Sequence, residues 1–330
     1  MKRKYLTHPT RPILPKAGMT CDELLLGLEG CSFQARQLAL AAKIWSEALD
    51  DDIVVMFGLA GAMVPAGMRA TIVTLMEHRL IDVVVSTGAN LYHDFYETAG
   101  NFHYLGSPYA DDTKLRADKI DRIYDTYADE DGFVRLDRHI GRWATKTLEE
   151  RPYTTREFLH LLGKEANRVS KGEQGILSTA YRLSIPVYCP AIGDSSIGIG
   201  LAGRTPKVIF DMIGDVEETA DIAASKPTMV IYVGGGTPKN FIQQTEVTNM
   251  VLGREAEGHR YAIQFVVDAP HWGGLSGCTF EEAISWGKIA VDAKRVTVVS
   301  DAAIALPIVA ASVLTRRRRA KKRRAPKLFS

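Results

Sequence analysis

The chain has 330 residues, 46% of them hydrophobic and 24% charged, with a formal net charge of +2. That balance excludes a disordered, collagen-like or disulfide-stapled chain and allows one large α/β domain or two smaller ones. The charge is uneven: residues 316–330 hold nine of the 41 Lys and Arg and no acid, leaving 32 basic against 39 acidic residues in the rest, a balance of −7. An acidic body suits a cationic substrate. A basic end suits nucleic acid, a lipid surface or the body itself, and a solvated, disordered tail is the plainer expectation. The basic start "MKRKYLTHPTRP" has no apolar run behind it, so no secretory signal is read there. Cys21, Cys31, Cys189 and Cys278 are scattered, as expected of reduced thiols in a cytoplasmic protein.

In chain order, "IVVMFG" (53–58) and "IDVVVSTG" (81–88) read as strands ending in glycine. Between them "GMRATIVTLMEHRL" (67–80) places Met68, Ile72, Leu75, Met76 and Leu80 at helical spacing. The stretch 106–150 is polar and charged, without strand-like runs, and reads as an excursion between sheet elements. "TTREFLHLLGKEANRVS" (154–170) fits a helix. Strand-like runs resume at "IPVYCPA" (185–191), "KVIFDMIG" (207–214), "TMVIYVGGG" (228–236), "YAIQFVVD" (261–268) and "RVTVVSD" (295–301), with "EEAISWGKIAV" (281–291) as a helix among them. "AAIALPIVAASVL" (302–314) contains Pro307 and is too short to span a bilayer; it reads as a buried helix, although the flanking arginines also fit an interfacial one. Continuous β-branched runs alternating with helices predict a doubly wound, mostly parallel, Rossmann-like α/β sheet with helices on both faces. The expected division is an N-terminal extension (1–19), a single domain (20–315) and a basic tail (316–330).

Glycines close several strands: Gly58 and Gly61, Gly88, and the triplet Gly234, Gly235 and Gly236. Such loops let a phosphate approach the backbone at the carboxyl ends of strands, but tight turns alone explain them equally well. No clean dinucleotide fingerprint follows these strand ends, and the P-loop spacing is absent. Asp194, Asp268 and Asp301 also close strands; each can accept from ribose hydroxyls or an ammonium group, and each can equally cap the next helix. "YADEDG" (127–132) is rejected as a calcium loop, since Tyr127 and Arg138 occupy its first and twelfth ligand positions. The eight histidines show no metal-ligand spacing, so no metal is expected, and the serine-hydrolase elbow is missing. Lys288 stands apart, behind Trp286 and Gly287 and downstream of Glu281 and Glu282. Lysine is a nucleophile only as the free amine, a form that burial beside an aromatic favours, and that amine forms Schiff bases. Composition alone favours a lysine snorkelling past Trp286.

The run "EEAISWGKIAVDA" (281–293) closely resembles the active-site segment of the deoxyhypusine synthase family. "FGLAGAMVPAGMRATI", "IDVVVSTGA", "IPVYCPAIGDSSIG", "VIYVGGGTPKNFI" and "VVSDAAIALP" resemble that family's segments in the same order, over roughly residues 20–315. The resemblance implies NAD-dependent transfer of the aminobutyl group of spermidine through an imine on Lys288, to a protein lysine or to putrescine. It carries the dinucleotide contacts to Gly61, Ala62, Met63, Val64 and Pro65, to Thr87, Gly88 and Ala89, to Asp194 and Gly235, and to Asp301 and Ala302. It carries the spermidine contacts to Asn240, Gly273, Glu282 and Trp286, with Trp286 as a desolvating wall, and it implies a homotetramer with active sites at dimer interfaces.

Departures narrow the expectation. Eukaryotic members carry paired glutamates where this chain has Tyr92 and His93, aspartates aligned with Ile199 and Leu275, and a histidine aligned with Asn240. Desolvated ammonium groups need carboxylate partners; Asp94, Glu281 or Glu282 are candidates to compensate. The pattern is closer to the prokaryotic deoxyhypusine synthase-like branch, some of whose members make homospermidine, and tilts the acceptor slightly toward putrescine. The alternative of another class is a non-catalytic NAD, polyamine or nucleic-acid binding protein.

Overall fold

The computed structural model describes residues 4–172, 174–318 and 323–328. Its strands, in chain order, are β1 (Val54–Leu59), β2 (Val83–Ser86), β3 (Tyr104–Leu105), β4 (Ile120–Ile123), β5 (Thr126–Asp129), β6 (Pro152–Tyr153), β7 (Val187–Tyr188), β8 (Ile209–Phe210), β9 (Thr228–Val233), β10 (His259–Val266) and β11 (Ile289–Val299). Six of them form one parallel sheet in the order β7–β2–β1–β9–β10–β11. The chain starts in the middle, winds outward through β2 and β7, returns, and winds the other way through β9, β10 and β11. This is the doubly wound order, in which adjacent strands diverge in connection at one point and leave a crevice there.

Every residue of β1 and β9 is buried, which is why both read as unbroken apolar runs. Alternate side chains serve opposite faces. Val55, Phe57, Leu59 and Ile231 pack with the helices Phe33–Ala48, Arg69–Glu77 and Ala302–Arg317. Val54, Met56, Val230 and Tyr232 pack with Ile242 of the helix Thr237–Val251 and with Phe280 and Ala283 of the helix Phe280–Ser285. Among the described residues, no helix is long and apolar enough to cross a membrane.

Four local expectations change. "KVIFDMIG" supplies only the two residues of β8, paired with β6 outside the main sheet; Asp211 then caps the helix Met212–Ser225 by accepting from Gly214 N at 2.8 Å. "EEAISWGKIAV" is not one helix. The helix ends at Ser285, Gly287 turns the chain at φ +69°, and β11 starts at Ile289. Residues 106–150 do contain strands: β4 and β5 form an antiparallel hairpin, extended by β3, whose half-buried, mixed sequence leaves no apolar run to read. The basic end is not wholly solvated. Arg316 meets Asp22 at 2.6 Å, Arg317 pairs with Asp50, and Arg323 reaches Asp82 at 2.7 Å, while Leu328 packs on the second core cluster. Residues 319–322 and 329–330 of that end lie outside the described residues.

Candidate active site

The crevice of the sheet lies between the carboxyl ends of β1 and β9. Backbone bonds lay the strand-end loops side by side: Ala60 N to Val233 O at 3.0 Å, Thr87 N to Leu59 O at 3.2 Å, and Gly234 N to Phe265 O at 2.9 Å. Gly61 takes φ +68°, and no other atom lies within 4 Å of where its Cβ would stand. Gly61 and Ala62 are exposed, whereas Met63, Val64 and Pro65 turn inward. Asn90, fully buried, fixes this loop. Its Oδ1 accepts from Val64 N at 3.2 Å, and its Nδ2 donates to Gly61 O at 2.7 Å and Thr87 Oγ1 at 3.1 Å. Thr87 caps the helix Gly88–Thr98. A Cβ on Gly88 would fall 2.3 Å from Ser195 Oγ, so glycine is what lets the turn Thr87–Ala89 meet Asp194–Ser195.

Asp301 is exposed and caps the helix Ala302–Arg317 through Ala303 N at 2.8 Å. With Ala62, Met63, Pro65, Glu97 and His103 it lines a cavity of about 650 Å³, roofed by Tyr104 and Leu105 of β3 and by Tyr124 and Asp125 of the hairpin turn. Ala302 is half-buried next to Asp301. On the cavity wall, Glu97 meets His103 Nδ1 at 2.7 Å and Arg69 at 2.8 Å. Burial opposes its ionisation, but those hydrogen bonds outweigh burial and hold the carboxyl below its usual range. Behind it, His103 Nε2 lies 3.0 Å from His93 Nδ1; burial, assisted by His103, pushes His93 down to about 4.

The lysine half is built from long side chains. Lys288 is 8% exposed; its N–H donates to Ala283 O at 3.1 Å, its carbonyl accepts from His259 N at 3.1 Å, and its Nζ lies 5.0 Å from the Trp286 ring centroid. Trp286 stands beside Lys288 and is itself 62% exposed. Lys239, only 1% exposed, donates from Nζ to Leu275 O at 3.1 Å and Cys278 O at 2.7 Å. Burial pushes its ammonium down to about 8, opposed by Cys278 and Glu282 and aided by Lys288, so these four groups share one cluster. A Cβ on Gly235 would lie 2.1 Å from Ser276 Cα, which seats the glycine triplet directly against the loop that Lys239 clamps. Asn240 is half-buried one residue beyond Lys239, and Gly273 is exposed at φ +71° at the head of that loop. Of the positions that depart from the eukaryotic pattern, Ile199 is 63% exposed, Leu275 gives its carbonyl to Lys239, and Tyr92 donates to Phe133 O at 2.9 Å. Asp94 is spent internally, accepting from Ile176 N and Leu177 N at 2.6 and 2.9 Å.

The structure thus joins Gly61–Pro65 to Thr87–Ala89 and Asp301, and Gly235 to the lysine cluster. Sequence reasoning passed over Asn90 and Lys239. The available signals were an asparagine directly behind a strand-end glycine turn and a lysine three residues past a glycine triplet.

The family model described as deoxyhypusine synthase matches residues 23–313. The chain belongs to the deoxyhypusine synthase family. It is 50% identical over 327 residues to "Probable deoxyhypusine synthase 2" of Methanosarcina mazei, covering 98% of this chain and 94% of that one. It is 48% identical over 288 residues to the protein of the same name from Archaeoglobus fulgidus, covering 87% and 95%. Against a "Deoxyhypusine synthase-like protein" of Elusimicrobium minutum the identity is 38%, over 85% of this chain and 76% of that one. Among solved structures, a candidate deoxyhypusine synthase from Entamoeba histolytica superposes with a TM-score of 0.61 at 15% identity, covering 96% of this chain and 99% of that chain, which supports the shared fold.

Proposed function

We propose that the protein is an NAD-dependent aminobutyltransferase that moves the 4-aminobutyl group of spermidine through an imine on Lys288 to an amine acceptor. The observation that carries this reading is the seating of Lys288, buried under Trp286 in a cluster that Gly235 joins to the glycine-lined strand ends. NAD fits the residues present. The open cradle at Gly61 admits close approach to backbone, Asp301 offers a carboxylate to ribose hydroxyls, and the helix Thr237–Val251 starts at Gly236 without a side-chain cap, free to face a pyrophosphate. Gly61–Pro65, Thr87–Ala89, Asp194, Gly235, Asp301 and Ala302 would hold it. The chemistry the dinucleotide supplies is hydride acceptance from the carbon beside the secondary amine of spermidine, and its later return.

The rest falls to this chain. Lys288 Nζ, as the free amine, attacks the oxidised carbon; a new C–N bond forms and 1,3-diaminopropane leaves with the old nitrogen. The acceptor amine then displaces Lys288 in the same way. Trp286 shields the imine from water and faces cationic substrate, and Glu282 pairs with an ammonium group. Asn240 and Gly273 complete our assignment of the amine site. The exposed faces of Trp286 and Trp272 are the surfaces a second subunit would cover in a homotetramer.

For the acceptor we place putrescine first, giving homospermidine, because Ile199 and Leu275 bring no charge and leave Glu282 as the carboxylate beside the two lysines. The names of the relatives favour a protein lysine instead. Incubation with NAD, spermidine and putrescine, followed by polyamine analysis, is expected to yield homospermidine and 1,3-diaminopropane. Labelling of a candidate translation-factor lysine without homospermidine would move the acceptor to protein. Absence of both products would sink the aminobutyl-transfer reading.

A further inference from the structure

The backbone of Lys288 is held by a residue that sequence reasoning left unused. His259, at the start of β10, is fully buried and donates its N–H to the Lys288 carbonyl at 3.1 Å. Its ring is bonded at both nitrogens. Nε2 lies 3.3 Å from Ile242 O, and Nδ1 lies 2.7 Å from Thr228 Oγ1. A carbonyl only accepts, so these partners assign the proton to Nε2 and make Nδ1 the acceptor of the Thr228 hydroxyl. Burial pushes the ring down to about 4, which keeps it neutral and this tautomer in place at neutral pH. Glu246, 6% exposed, stands 3.4 Å from Nδ1 and accepts from Gly258 N at 3.2 Å. Gly258, at φ +83°, has no room for a side chain: a Cβ would lie 2.5 Å from Ala290 N and 2.6 Å from Ile289 C. It therefore packs closely on the Ile289–Ala290 peptide that follows Lys288.

Three elements converge on this histidine: Thr228 from the start of β9, Ile242 and Glu246 from the helix that also carries Lys239, and Gly258 from the loop before β10. Lysine has four side-chain torsions, and imine formation requires its nitrogen to reach the carbon within about 3–3.5 Å in a defined direction. A fixed Cα root removes one source of misplacement, and an error of about 1 Å can cost on the order of 100-fold in rate.

We infer that His259, oriented by Thr228 and by the Ile242 carbonyl, is a positioning residue for Lys288. This rests on Lys288 being the nucleophile, as proposed above. The test is single-turnover trapping: enzyme with NAD and spermidine, quenched with borohydride, with mass spectrometry of the aminobutyl adduct on Lys288 against time. Thr228→Val keeps the shape and removes the hydroxyl. It is expected to slow adduct formation about 10-fold with full amplitude and unchanged NAD affinity, and Thr228→Ser is expected to recover most of that loss. His259→Ala is expected to be slower still. A merely structural role would lower the amplitude, as protein is lost from the folded pool, and leave the rate constant alone; that result, or equal rates in the Val and Ser variants, overturns the inference. A wild-type enzyme with no adduct on Lys288 but normal transfer would instead overturn the reading on which it rests.

Discussion

The dinucleotide half and the lysine half of the crevice are built by opposite means. The first is almost all backbone: glycine turns at Gly61 and Gly88, strand-end hydrogen bonds, and one asparagine that satisfies two loops at once. The second is made of long side chains: Lys239 from the helix Thr237–Val251, Glu282 from the helix Phe280–Ser285, and Trp286 and Lys288 from the turn that leads into β11. A site made of backbone is damaged by adding atoms, because nothing can repack around a peptide. A site made of side chains is damaged by changing their chemistry while their volume is kept. The two halves meet at Gly235 and Ser276, and substitutions on either side of that join should separate binding from transfer.

The largest effect is expected from Lys288→Arg, which keeps charge and length but cannot form the imine. Transfer should fall at least about 1000-fold, equivalent to about 4 kcal/mol of barrier, with NAD affinity within twofold. Parallel loss of both in kinetic and titration measurements would break the separation of the halves. At the join, Gly235→Ala should cost about 3 kcal/mol by denaturant unfolding, since a Cβ 2.1 Å from Ser276 Cα forces one of two backbones to move. It should also weaken both NAD binding and transfer, unlike any substitution confined to one half.

Asn90→Ala tests the backbone half alone. It leaves the buried Val64 N and the part-buried Gly61 O without their side-chain partner, so about 2 kcal/mol of stability should go. NAD affinity should fall several-fold in a titration, while the rate of adduct formation at saturating NAD should hold. A slower adduct at saturation would mean that the two halves are coupled through this loop.

The parallel sheet was legible because strands covered on both faces must be apolar throughout, and β1, β2, β9 and β10 all announce themselves in this way. β4 and β5 were not, since a hairpin with half-buried faces mixes Asp121 and Arg122 among its isoleucines. The helix before Lys288 was read too long because helical spacing continues through "SWGKI", and only the positive φ of Gly287 stops it. Lys288 itself was legible through its neighbours in sequence. Asn90, Lys239 and His259 were not, because a buried polar residue is explained by partners 25 or more positions away, as Gly61, Leu275 and Thr228 show.

Lys239 gives the smallest and most discriminating effect on this comparison. Its folded-state pKa, about 8, lies below its unfolded value, so the unfolded chain holds more protons between about 8 and 10.4. Stability must therefore rise with pH across that window: the cost of burying the ammonium is fully present below about 8 and fades above it. Lys239→Met removes the titrating group. The stability difference between wild type and Lys239→Met should then shift in favour of wild type by about 1 kcal/mol per pH unit just above pH 8, measured by urea unfolding. A difference that stays flat with pH would mean that the two carbonyls of Leu275 and Cys278 hold the ammonium charged at no cost. Lys239 would then belong with the backbone half of the crevice, as a clamp on the loop, rather than with the chemistry of Lys288.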